Sequence, residues 1–252
     1  MPPRPNVRPY RIRRGDTLQM IAEYFHATVQ AILQLNPGLN PNNLRIGQVV
    51  LIPIASPCPT PDKPEPKCIS MAELSLSNQM RLLWSQHVYW TRFFVLSDVF
   101  NLPDLEFVTN RLLRNPKDFE AALKPFYGED NAAQFNVLLT EHLTIAAELV
   151  NAAKAGDNAA AADAERRWYA NADQIAAFLG SINPCWSARE WRRMMREHLD
   201  LLKVEVTNIL TQDFTGGVRI FDVVERQSLE MADMMTIGIV KQFPERFVSH
   251  HQ

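Results

Sequence analysis

YRIRRGDTLQMIAEYFHATVQAILQLNPGLNPNNLRIGQVVLIP, residues 10–53, is the stretch from which the rest of the chain is read. Tyr10-Arg11-Ile12-Arg13 alternates and predicts a short strand. Gly15-Asp16-Thr17 is a turn, and Asp16 or Thr17 can cap a following helix by accepting its orphan N–H groups. Leu18, Ile21, Ala22 and Phe25 then share one helical face. Thr28 is placed to cap a second helix carrying Val29, Ile32 and Leu33. Asn36-Pro37-Gly38 ends it, because a residue before proline avoids the helical region and glycine tolerates positive φ. Gln48 to Ile52 is apolar and β-branched, a closing strand. The predicted order is strand, helix, helix, strand.

Over its whole length this stretch resembles a LysM (lysin motif) module. The resemblance implies a βααβ fold and a shallow groove for N-acetylglucosamine-containing glycan, of the peptidoglycan or chitin type. It places the groove between the loop after the first strand and the loop before the last. On this chain those are Gly15, Asp16, Thr17, Leu18 and Gly38, Leu39, Asn40, with Ile46 nearby. As bare residues they are also turn formers and caps, and both roles can hold together. The resemblance also implies an address at a cell wall or spore coat, with a cytoplasmic chain as the alternative.

Around that stretch the chain of 252 residues has the composition of an ordinary globular protein, 46% apolar and 21% charged. It contains no run of eighteen apolar residues, so no transmembrane helix and no membrane insertion are predicted. MPPRPNVRP at the start lacks the apolar core of a signal peptide. No GxGxxG or P-loop pattern occurs. Charge is split: residues 1–53 carry six arginines against Asp16 and Glu23, and the remainder is acidic enough to bring the total to −2. A basic module suits an anionic envelope polymer. Without an aromatic stacking pattern, nucleic acid is not expected as a partner.

Two domains joined by a spacer are expected: the module at 1–53, the spacer at 54–69, and a helical bundle at 70–252. Prolines 57, 59, 61, 64 and 66 make the spacer extended and semi-rigid. Cys58 and Cys68 bracket it; they either close a disulfide or stand as free thiols, and Cys185 is then odd. From Ser70 the fold class is mainly α, an antiparallel bundle of four or five long helices. These are expected near 78–99, 130–155, 158–182, 188–211 and, after Gly216-Gly217, to about 243. Residues 104–127 read as shorter helices broken before Pro116 and Pro125. Ser70-x-x-Glu73 and Ser187-x-x-Glu190 read as capping boxes.

Two faint parallels suggest an internal repeat. One sets Trp84-x-x-His87 against Trp168-x-x-Asn171. The other sets Glu141-His142-Leu143 against Glu197-His198-Leu199. Read together they give a duplicated hairpin with residues 101–130 inserted.

His87, His142 and His198 each sit on an apolar stripe of a different helix. With Glu205 and Glu225 they form a candidate metal set for Fe, Mn or Zn, as in ferritin-like or haemerythrin-like bundles. The E-x-x-H pairs of di-iron bundles are missing. The plainer reading is buried histidines held by hydrogen bonds, with Asn171, Thr91 and Glu205 as partners. Cys185 precedes a helix N-terminus, which can lower a thiol pKa, but no histidine pattern is tied to it. A wall-modifying hydrolase or transferase therefore has no named catalytic residue, and a non-enzymatic reading leads. Aromatic and methionine positions on the bundle offer a surface for a partner or a second copy.

Overall fold

The computed structural model describes residues 7–25, 27–53 and 69–248. The chain divides into two compact units, Met1–Pro59 and Thr60–Gln252. The spacer residues 54–68, with Cys58 and Cys68, lie outside the described residues.

In the first unit β1 (Val7–Arg11), α1 (Leu18–Tyr24), α2 (Val29–Leu35) and β2 (Val49–Pro53) follow in order. The two strands pair antiparallel, with Tyr10 opposite Val50. Ile12, Leu18, Ile21, Ala22, Ile32, Val50 and Ile52 form the core. Thr17 caps α1 by accepting from the Met20 N–H at 3.1 Å, and Thr28 caps α2 by accepting from Ala31. Asp16 has a different task. It accepts from the Tyr10 hydroxyl at 2.8 Å and the Arg13 N–H at 2.7 Å, and so ties the turn to β1.

Asn36 does more than stop α2. Its amide donates to the carbonyls of Ile32 and Leu51 and accepts from the Leu51 N–H at 2.8 Å. Asn36→Ala removes these bonds, which tie the end of α2 to β2. At about 1 kcal/mol per hydrogen bond, amide exchange along β2 is expected to quicken by roughly tenfold or more. Exchange unchanged in the variant would show that the strand does not depend on this residue.

The second unit is built from α3 (Met71–Val99), α4 (Leu105–Ala155), α5 (Asn158–Ile182), α6 (Ala188–Leu210) and α7 (Phe214–Gln242), with a short 3-10 turn at Pro244–Arg246. Ser70 caps α3 and Ser187 caps α6, each accepting from the N–H of the glutamate three residues on. α3 thus begins well before position 78, because the cap at Ser70 sets its start.

α4 is two arms. Gly128, at φ 78°, interrupts it, and the arms fold back so that Asn136 donates to Glu120 and Phe119 packs edge-on against Phe135. Pro116 and Pro125 lie inside the first arm rather than ending helices. Pro116 is buried, as are Leu112, Phe119 and Leu123 on the same arm, so burial of the arm's inner face works against the lost N–H bond. The bundle therefore has the five long helices expected, one of them folded into two arms. α7 starts at Phe214, with Gly216 in its first turn donating its N–H to the Asp213 cap at 2.9 Å.

Neighbouring arms in sequence pack together, and α7 packs back on α3, so the array closes. Three hairpins result: α3 with the first arm of α4, the second arm of α4 with α5, and α6 with α7. Each turns through one residue of positive φ: Asn101 at 52°, Gly156 at 72° and Gln212 at 60°. The large core of the unit holds Trp84, Phe119, Phe135, Trp168, Trp186 and Trp191, and a smaller one gathers Phe94, Val95, Leu112, Leu143, Val150 and Ile209. No helix among the described residues is long and apolar enough to cross a membrane.

Candidate functional site

The first unit presents its two expected loops at the surface. Gly15 and Gly38 take φ of 91° and 90°, which L side chains rarely adopt, and both are exposed. Thr17 and Asn40 are exposed, Leu39 is half-buried against the core, and Ile46 is 69% exposed. Leu18 is 2% exposed and belongs to the core. It can therefore meet a ligand only through its backbone. Asp16 and Ile46 meet in one open groove of about 880 Å³, together with Tyr10, Met20, Tyr24 and Arg13. Gly15, Thr17 and Gly38 to Asn40 are not among the residues lining it. The arginines of β1 and the following turn edge this groove, with Arg8 over the Phe25 ring and Arg13 over Tyr10.

In the second unit the three stripe histidines all point inward. His87 is 2%, His142 1% and His198 0% exposed. Each is held by an amide from the other helix of its own hairpin. His87 Nδ1 lies 3.2 Å from Asn115 Oδ1, His142 Nδ1 2.9 Å from Asn171 Oδ1, and His198 Nδ1 3.0 Å from Gln227 Oε1. The amide NH2 groups donate in turn to the carbonyls of Leu83, Leu138 and Met194. A carbonyl can only accept, so each amide presents its oxygen to the imidazole. Each Nδ1 must then carry the proton, and each Nε2 keeps its lone pair. The rings neighbour one another, with centroids 5.7 Å apart for His87 and His198 and 6.5 Å for His87 and His142.

Burial keeps the three rings neutral. Desolvation takes His142 down to about 3 and His198 to about 4, against smaller opposing effects of their amide partners. His87 is lowered well below its ordinary value, first by burial and then by its two histidine neighbours.

The expected carboxylates are elsewhere. Glu205 is buried and pairs with Arg92. Glu225, half-buried, accepts from the Tyr89 hydroxyl at 3.0 Å. Thr91 donates to the His87 backbone carbonyl and not to a ring. The five-residue set of His87, His142, His198, Glu205 and Glu225 is therefore not assembled. As the rings stand, no group of three or more His, Cys, Asp or Glu among the described residues closes on an ion. Sequence reasoning named Asn171 as a partner but missed Asn115 and Gln227. Cys185 is disulfide-bonded and so offers no thiolate.

The repeat is threefold. Each hairpin places a histidine on its first helix and the holding amide 28 or 29 residues later on its second. Residues 101–130 are not an insertion, since they supply the second helix of the first hairpin. Trp84 stands on a histidine helix and Trp168 on an amide helix, so the parallel between them is not part of this pattern. One turn beyond the histidines, Thr91, Ala146 and Leu202 line an apolar cavity of about 150 Å³, which Trp168 and Glu205 also border.

Residues 10–53 match the family model described as LysM domain. A protein of Bacillus licheniformis assigned as a putative L,D-transpeptidase, YkuD, is 48% identical over 44 residues, which cover 18% of this chain and 27% of that protein. The chain thus spans about a quarter of that curated relative. No solved structure gives a significant match.

Proposed function

We propose that the LysM domain at residues 10–53 fastens this chain to N-acetylglucosamine-containing glycan, peptidoglycan before chitin, and so holds the helical unit at a cell wall or spore surface. LysM domains support glycan binding in general, and the family match over 10–53 carries the reading. The fold supports it: a βααβ unit with both glycine turns open at the surface. Backbone groups around Gly15 and Gly38 are accessible to hydroxyl and N-acetyl groups. Asn40 and Ile46 are exposed side chains of the set, and Ile46 offers an apolar contact to a sugar face. Asp16 acts through the turn it ties, and Leu18 through the core. The arginine-edged groove favours an anionic polymer around the glycan.

The reading predicts that the full chain sediments with insoluble peptidoglycan. A shallow groove implies a Kd between about millimolar and tens of micromolar, or roughly 4–7 kcal/mol. Asn40→Ala and Ile46→Ala should each weaken binding several-fold; melting should be unchanged for the exposed Ile46 and slightly lowered for Asn40, whose Oδ1 accepts from the Asn42 N–H at 2.9 Å. A chain that stays in the supernatant with both peptidoglycan and chitin would refute the proposal.

A further inference from the structure

We propose that His87, His142 and His198 bind one divalent transition-metal ion, Zn2+ above all, through their Nε2 atoms at the centre of the helical unit. The amide relays are the first support. Each fixes ring orientation and tautomer, leaving an unprotonated Nε2, and backbone carbonyls hold the amides in turn. Metal-bound imidazoles need this arrangement, with the distal N–H given to an acceptor and the lone pair left for the ion. The structure repeats it once per hairpin.

The second support is what the lone pairs meet. His142 Nε2 and His198 Nε2 are buried and have no hydrogen-bond partner. An unsatisfied buried acceptor costs about 1–3 kcal/mol. Two, in rings that both neighbour His87, are hard to reconcile with a layer that serves packing alone, where Leu or Phe would fit without that cost. The indole N–H groups of Trp84, Trp168 and Trp191 are also buried without partners. Donors and acceptors therefore share one core without meeting one another.

His87 neighbours both other rings. Three Nε2 atoms at about 2.1 Å from one ion put ring centroids roughly 5.5 Å apart. The His87–His198 spacing of 5.7 Å is almost there, and the His87–His142 spacing of 6.5 Å must shrink by about 1 Å. Three neutral imidazoles without a carboxylate suit Zn2+ and its later first-row neighbours and give Mn2+ no oxygen ligand. Three protein ligands leave a fourth position open. The cavity bordered by Thr91, Ala146 and Leu202 lies one turn away, and a small fourth ligand would enter from there.

The test uses the full chain, purified without a histidine tag and stripped with a chelator. Zn2+ should rebind at one per chain and raise the melting temperature. Co2+ should give the visible absorption of a four-coordinate nitrogen site. His142→Gln and His198→Gln, which keep polar bulk, should abolish the Co2+ spectrum. Asn171→Leu should weaken uptake by about 10- to 100-fold, as loss of an outer partner does. His250 and His251 form a second imidazole pair in the sequence, so a variant with both changed to alanine is run beside the others. That variant should retain the Co2+ spectrum. Wild-type protein that takes up neither Zn2+ nor Co2+ overturns the proposal. So does a spectrum that survives in His142→Gln and His198→Gln, or one that disappears with His250 and His251. If the glutamine variants fail to fold, stoichiometry and spectrum of the wild type beside the tail variant still decide.

Discussion

Gly238→Ala is expected to destabilise the helical unit by about 3 kcal/mol or more, among the larger effects of a single methyl group. A Cβ at Gly238 would stand 1.8 Å from Trp186 Nε1 and 2.2 Å from its Cδ1. Trp186 cannot step aside. It is 2% exposed, donates to the Met234 carbonyl at 3.2 Å, and packs against Tyr127 and Trp191. Thermal unfolding followed by helical circular dichroism should show a drop of roughly 6–12 °C for a unit of this size. Gly217→Ala is the control. Its new Cβ meets nothing nearer than Asn208 Cβ at 3.8 Å. It should be neutral or gain about 0.5–1 kcal/mol from the better helix former. Gly238→Ala melting with the wild type would show that α7 does not approach Trp186 this closely.

Arg92→Ala should cost about 3–5 kcal/mol at neutral pH, because it strands the Glu205 carboxylate in the core. The side chains of Arg92 and Glu205 are 17% and 2% exposed. Burial already raises the Glu205 pKa above its ordinary 4.5, and Arg92 only partly opposes it. A short ion pair would by itself suggest a lowered value; with the carboxylate so deeply buried, desolvation is the larger effect.

The sign follows. A raised folded-state value means that stability is fullest below about pH 4.5 and falls as pH rises through the folded value. Without Arg92 that value climbs further, so the deficit of Arg92→Ala should be small near pH 5 and grow toward pH 8. Urea unfolding at the two pH values measures it. The double variant Arg92→Met with Glu205→Leu should recover most of the loss, since a buried pair replaced by apolar groups is often neutral. A deficit independent of pH would mean that lost packing of Arg92 on Phe221, 4.8 Å away, is the cause.

The first unit was legible because its signals are local. Period-two and period-3.6 patterns, Thr28 as a cap and the glycine turns all act within a few residues. The same holds for the caps at Ser70 and Ser187, and for the three histidines facing inward from their stripes. What the sequence hid is non-local. Proline rules break a helix at Pro116, yet the core around Leu112 and Phe119 keeps the arm continuous, while the true reversal falls at Gly128. Stripe position shows that Glu205 points inward, but not that Arg92 from another helix meets it. Asn115 and Gln227 are ordinary polar residues in isolation. The signal that would have found them is an amide 28 or 29 residues after each of three histidines, a spacing set by hairpin length and invisible to helical periodicity.

Closure of α7 on α3 bears on the order of assembly. Arg81 grips both oxygens of Asp233 at 2.6 and 2.7 Å, and Tyr89 reaches Glu225, across 152 and 136 residues of chain. Such pairings carry the largest loop-closure cost in the unit, whereas each hairpin closes over a short turn. On a growing chain the hairpins can form as they emerge, but the seam must wait for the last helix. Until then the core shared by Met80 and Trp84 of α3 lacks Met231 and Met235 of α7, and the unit carries an open apolar edge. The half-built unit is at its most exposed to wrong partners until α7 arrives.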